Sequence, residues 1–239
     1  MPDLSSTSAP GASWRIDGRR VDLVADCRLA GGAHVDLERP AAGLATQSGD
    51  HVLGLDLDAA CAATDAWVRG ADLTAAWQAD SRRGLKATSM WRCRCAAAPA
   101  GVTAWELVAS ATTALPHADS TLAVTSDVAG DTILSAVWQE RSPAPFSADA
   151  SPRMGLVLLR RGDGTSALLL VHPDDHQAVT VERRSGRARL ACWLFPTGVE
   201  KGVLLRSRVM AAIGPAAGDT EWARELALGF AASPPFLDT

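Results

Sequence analysis

A chain of 239 residues with a formal charge of −4 is long enough to bury roughly three quarters of its unfolded surface in one core. That charge provides no broad basic face for a phosphate backbone, so no nucleic-acid partner is expected. No apolar stretch approaches the roughly 18 residues of a membrane-spanning helix. The longest, such as Leu168 to Val171, have the length of strands, and no membrane partner is expected.

Residues 1–12 are rich in Ser, Pro and Ala, with neither a cationic start nor an apolar centre. They read as a disordered leader and not as a secretory signal. The remainder, 13–239, reads as a single β-sandwich domain. From about Ser13 to Val209, short alternating segments are punctuated by Gly, Pro, Asp and Ser, the pattern of antiparallel sheets.

In chain order, Met90 to Cys95 and Val102 to Thr113 flank the turn Ala98-Pro99-Ala100-Gly101. Within the first, alternation sets Trp91, Cys93 and Cys95 against Arg92 and Arg94. Within the second it sets Trp105, Leu107, Ala109 and Ala111 against Glu106, Val108 and Ser110. Leu122 to Val128 is expected to pair with Thr132 to Trp138 across Ala129-Gly130-Asp131. Met154 to Arg161 is expected to pair with Thr165 to His172, and Gln177 to Arg184 with Arg187 to Phe195 across Ser185-Gly186. A meander follows. The stretch Glu140 to Arg153, with three prolines, reads as a long loop.

The C-terminal segment changes character. Asp219 and Thr220 are suited to cap a helix over about Thr220 to Ala231, in which Trp222, Leu226 and Phe230 recur every fourth residue and Pro234-Pro235 end it. Such a helix is expected to close an open end or edge of the sandwich. The fold class is therefore all-β and mainly antiparallel, a large sandwich or supersandwich with a short C-terminal α-helix.

Five cysteines, Cys27, Cys61, Cys93, Cys95 and Cys192, are odd in number and scattered, which suits buried thiols in a reducing compartment and predicts a cytoplasmic protein. Tyrosine is absent while tryptophan occurs eight times. Codon bias toward Ala, Arg and Gly accounts for that skew.

Three stretches carry a resemblance: Trp67-Val-Arg-Gly-Ala-Asp-Leu-Thr-Ala-Ala-Trp77, the Met90-Trp91-Arg92 strand with Trp105 to Thr113 after it, and Val199-Glu-Lys-Gly-Val-Leu-Leu-Arg-Ser-Arg208. Together they resemble the landmarks of an uncharacterised bacterial protein family. More distantly, the long strands followed by Glu-Lys-Gly-Val resemble the β-supersandwich of galactose-mutarotase type. That resemblance implies sugar binding in a groove across one sheet, with a carboxylate as general base and a histidine as general acid. In this chain those roles would fall to Glu200 and His172.

Independently of the resemblance, Glu200-Lys201 stands at a strand entrance after Pro196-Thr197-Gly198, where a carboxylate is placed to accept a proton from a sugar hydroxyl. The plainer reading is a solvated turn ion pair. Arg69 and Asp72 bracket Gly70, and Arg92 and Arg206 stand on strands. Arginine forks grip carboxylates or phosphates, or simply pair with Asp72, Glu106 and Glu200.

His172-Pro-Asp-Asp-His176 has the ligand types of a metal site but reads as a turn. Gly162-Asp-Gly-Thr-Ser-Ala167 opens no helix and is no dinucleotide fingerprint. Neither a metal nor a cofactor is expected. The candidate ligand-binding set is Arg69, Asp72, Trp91, Arg92, Lys201 and Arg206. The ligand is expected to be a small molecule such as a sugar, bound with weak or no catalysis. A structural or protein-interaction module and a mutarotase-like epimerase are the alternatives, and a homo-oligomer stays open.

Overall fold

The structure is a computed structural model, and it describes residues 12–25, 32–57, 61, 63–78, 84–94, 98–149, 153–175 and 178–234. The expected leader through Gly11, together with Cys27, Cys95, His176 and Pro235, lies outside them. No helix among the described residues is long and apolar enough to cross a membrane.

Two large antiparallel sheets stack face to face. One contains, in spatial order, β1 (Ala12–Asp17), β2 (Arg20–Ala25), β3 (His34–Asp36), β4 (Leu44–Ala45), β5 (His51–Asp56), β11 (Leu122–Ala129), β17 (Arg187–Leu194) and β16 (Ala178–Arg184). The other contains β13 (Ser142–Pro143), β12 (Thr132–Gln139), β14 (Met154–Arg160), β15 (Thr165–Val171), β19 (Leu205–Pro215), β9 (Thr103–Thr113), β8 (Leu85–Cys93), β7 (Asp72–Gln78) and β6 (Ala63–Arg69). A short ribbon pairs β10 (His117–Ala118) with β18 (Val199–Glu200). The 3-10 turn η1 (Pro40–Ala42) lies on β5 and β11.

Alternation builds the core between the sheets. On β7, Leu73, Ala75 and Trp77 turn inward, and on β8 Leu85, Ala87 and Trp91 meet them. On the facing sheet Leu55, Val124, Leu190 and Cys192 complete the same cluster. Burial there pushes the Cys192 thiol up to about 12, so it is a core thiol and not a nucleophile.

A second core explains why Leu156 to Leu159 and Leu168 to Val171 do not alternate. Val157, Leu159, Leu169 and Val171 face the first core, while Leu156, Leu158, Leu168 and Leu170 face outward under the helix α1 (Asp219–Ala232). Strands buried on both faces read as continuous apolar runs. The helix contributes Trp222, Leu226 and Phe230 to that contact, each stabilising by on the order of 2 kcal/mol.

Several expectations change. Ala12, at the end of the expected leader, already belongs to β1. The hairpins β8–β9, β14–β15 and β16–β17 form as expected, the last in the register Arg184 opposite Arg187. β11 and β12 do not pair. β11 lies between β5 and β17 in one sheet, β12 beside β14 in the other, and Ala129-Gly130-Asp131 carries the chain between them. Both ladder edges of β11 are already occupied, which leaves β12 no partner there. The larger sheet is no simple meander either, because β19 separates β15 from β9.

The helix lies on the outer face of the larger sheet and reaches its edge strand β13, where Arg224 donates to the Pro143 carbonyl at 3.1 Å. Its N-cap is Gly218 in the left-handed conformation. Asp219, one residue inside, is buried and receives both Arg160 (2.7 and 2.9 Å) and the Ser166 hydroxyl (2.8 Å). A carboxylate in the first turn also complements the helix dipole.

Candidate functional site

α1 covers β14, β15, β19 and the start of β9, where Ala104 joins the helix-side core, and leaves the outer face of β6 to β8 and the far end of β9 uncovered. The boundary is a buried ion pair in which Arg208 donates from Nε to Glu106 Oε1 at 2.6 Å. Arg208 also caps the far end of the helix, donating to the carbonyls of Ser233 and Pro234 and to the Ser233 hydroxyl. The second Glu106 oxygen accepts from Arg94 Nε at 2.7 Å.

Beyond that boundary the strand registers set functional side chains in rows. The two-residue turn Gly70-Ala71 puts Arg69 opposite Asp72, Asp72 stands opposite Arg92, and Arg92 opposite Glu106. The next row is Trp67, Thr74, Met90, Val108 and Arg208. A third brings Thr88, Ser110 and Arg206 into line. Directly opposite residues point to one face, so charge, hydroxyl and aromatic groups gather on the bare half of the sheet.

They line a groove of about 410 Å³, whose wall and floor include Trp67, Arg69, Asp72, Thr74, Met90 and Arg206. Arg92 grips Asp72 with both arms of its fork, Nε to Oδ1 at 2.6 Å and Nη2 to Oδ2 at 2.5 Å. That bidentate pair neutralises the middle of the row. Arg69 and Arg206 supply the cationic groups of the groove, on strands four inter-strand steps apart, about 19 Å at the backbone. Trp67 is 43% exposed, and its ring forms part of the lining beside them.

The sequence-selected residues therefore divide. Arg69, Asp72 and Arg206 come together in the groove, with Arg92 against Asp72. Trp91 belongs to the opposite face of β8, fully buried, its indole N–H donating to the Leu53 carbonyl at 3.0 Å. Glu200 stands opposite His117 in the β10–β18 ribbon, and Lys201 follows in an exposed turn. His172 is 4% exposed beneath α1, edge-on to the Phe230 ring at 5.2 Å. Neither Glu200, Lys201 nor His172 lines the groove.

Thr74, Thr88, Met90, Val108 and Ser110 escaped the sequence reading as site residues. The signal for them was the alternation that sends Leu73, Ala75 and Trp77 inward and so sends Asp72 and Thr74 outward. Pairing register, which the sequence of one strand does not state, was needed to join strands into rows.

No protein-family model matches the chain, and no curated protein matches it. Among solved structures it is similar to the heparan sulfate lyase HepC from Pedobacter heparinus, with 11% identity, a TM-score of 0.41, and coverage of 82% of this chain and 33% of that one. A heparinase III matches with 13% identity and a TM-score of 0.37, covering 80% of this chain and 30% of that one. A putative kojibiose phosphorylase from human microbiome matches with 7% identity and a TM-score of 0.36, covering 83% and 21%. The chain thus spans a third or less of the length of these structures, and likenesses so distant carry no argument about its chemistry.

Proposed function

We propose that the protein binds a small sugar-like ligand in the groove over β6 to β9 and does not transform it. The observation that carries this reading is the half-exposed Trp67 ring beside Arg69, Asp72, Thr74 and Arg206 in one concavity. A flat apolar ring bordered by a few fixed donors and acceptors matches a pyranose, which has an apolar face and a hydroxyl edge. A flat, uncharged face would have favoured a protein-assembly module instead.

An epimerase needs its base and acid around one substrate. Glu200 in the ribbon and the enclosed His172 both stand outside the groove, and that placement favours binding over turnover. Titration calorimetry against a panel of mono- and oligosaccharides tests the reading. Saturable binding by at least one sugar, weakened about tenfold or more by Trp67→Ala, is expected. Absence of binding across the panel, or binding indifferent to Trp67→Ala and Arg69→Ala, overturns it.

A further inference from the structure

The other outer face of the sandwich carries a larger cavity, about 700 Å³. Its floor is β5 and β11, one wall is the Glu38 to Ala42 segment that includes η1, and the other holds arginines of β16 and β17. A bulge in β5 makes this floor. Gly54 stands opposite Thr125, yet His51 stands opposite Asp127, so β5 spends three residues where β11 spends two. Regular pairing would set His51 opposite Val128, a core position. The extra residue turns His51 outward beside Asp127.

The bulge is held on all sides. Leu53 has φ of 58°, its N–H donates to Ser126 Oγ at 3.1 Å, and its carbonyl accepts from Trp91. The wall closes because Gly54 has no side chain: a Cβ there would collide with the Ala41 carbonyl. That same carbonyl accepts from Thr125 Oγ1 at 3.1 Å. A distorted, multiply tied strand under a cavity is the kind of backbone that functional sites retain.

The charges around the cavity are unevenly satisfied. Arg187 is committed, donating to the Asp127 carboxylate and, at 2.9 Å, to the Asp127 carbonyl. Among the described residues, Arg184 reaches only Glu182, two residues along its own strand, at 3.3 Å. Arg189 approaches Asp56 no closer than 3.7 Å. The Arg39 guanidinium has no partner among the described residues. Each guanidinium carries five N–H donors, so three of the four arginines here face the cavity with donors to spare.

We propose that this cavity binds an oligoanion, a ligand whose rings bear two or more phosphate, sulfate or carboxylate groups, through Arg39, Arg184 and Arg189. Arg187 is a positioning residue, locked by Asp127. Arg187, Arg189, Ala191 and Trp193 succeed one another on the outer face of β17 at about 7 Å intervals. Trp193 is 42% exposed and offers a flat surface two steps beyond Arg189. Cationic forks followed by an aromatic platform accommodate a ring framework carrying spaced anions better than a lone inorganic ion.

The test uses the full chain and four probes: inositol hexakisphosphate, dextran sulfate, polygalacturonate and unmodified dextran. Affinity is measured by calorimetry at about 50 and about 200 mM salt, a range over which contacts to several anionic groups weaken sharply. At least one anionic probe is expected to bind, more weakly at the higher salt, and which one distinguishes phosphorylated, sulfated and carboxylated sources. The double variant Arg184→Ala/Arg189→Ala and the single variant Arg39→Ala should each weaken it at least roughly threefold to tenfold. All three positions are solvent-exposed, and an unchanged thermal midpoint confirms folding. Trp67→Ala on the opposite sheet should leave this binding intact. The proposal fails if no anionic probe binds, if unmodified dextran binds equally well, or if binding survives both arginine variants.

Discussion

Trp91 and Leu53 join the two sheets through one hydrogen bond: the buried indole of the larger sheet donates to the carbonyl of a bulged strand residue in the smaller one, at 3.0 Å. Leu53 occupies the left-handed region, φ 58°, which costs a non-glycine residue on the order of 1–3 kcal/mol. The contact therefore stabilises a conformation that the local sequence does not favour, and the cavity floor beside His51 depends on it.

Trp77 supplies the internal control. It is equally buried, packs edge-on against Trp91 with centroids 5.7 Å apart, and its indole nitrogen has no partner among the described residues. Both Trp→Phe changes remove similar volume, but only Trp91→Phe strands a buried carbonyl. Trp91→Phe should cost at least about 1 kcal/mol more than Trp77→Phe in urea unfolding. Equal losses would remove the hydrogen bond from the account.

Arg208 and Glu106 form the next expectation. Both are nearly fully buried, 6% and 1% exposed, and Arg208 also ties the last turn of α1 and stacks 4.7 Å above the Phe230 ring. Breaking a buried pair leaves an uncompensated charge, so Arg208→Met should destabilise by about 3–5 kcal/mol. Hydrogen exchange should show α1 losing protection first. Arg94→Met, which removes a partner that is 27% exposed, should cost clearly less.

The contrast between β14–β15 and β11–β12 shows what a single sequence contains. Gly162-Asp163-Gly164 and Ala129-Gly130-Asp131 look alike as three-residue turns, yet one closes a hairpin and the other crosses between sheets. The choice is set by neighbours of β11 that are distant in the chain, β5 and β17. Likewise Arg69, Asp72 and Gly70 were legible together because a tight turn joins them, while Arg206 reaches the groove through the pairing of β19 with β9. The His51 to Gly54 bulge left no local mark beyond Gly54, since a leucine does not announce a positive φ. Glu200 drew notice from its position after a turn, a signal that says nothing of which cavity the side chain meets.

Asp219 links acid stability to helix docking. Burial pushes its carboxyl up, but hydrogen bonds from Arg160 and Ser166 and the Arg160 charge outweigh that and hold it below the ordinary carboxylate value. A depressed folded-state value means that this stabilisation is present above the unfolded value, about 3.9, and is lost as pH falls through the folded value. Asp219→Asn should lower stability by about 1–3 kcal/mol at neutral pH and flatten the fall below about pH 4. Parallel wild-type and variant curves over that window would show that another carboxylate governs it.

His172 acts at milder pH. Its Nδ1 accepts from the Asp174 N–H at 3.3 Å, which places the proton of the neutral ring on Nε2, and Nε2 is buried without a partner among the described residues. Desolvation, then the positive charge of Arg208, lowers its proton affinity. Asp174 opposes this, Arg141 adds to it and Glu106 opposes it. Since the folded value lies below the unfolded one, about 6.5, the unfolded chain binds the proton more readily. The native state is therefore favoured above about pH 6.5 and loses that advantage as pH falls toward the folded value. His172→Phe keeps an aromatic ring against Phe230 and removes the titration, so its stability should fall less than wild type's as pH drops below about 6.5. Chemical denaturation at half-unit pH steps measures it, and an unchanged slope in that interval would mean that His172 stays neutral to the same degree in both states.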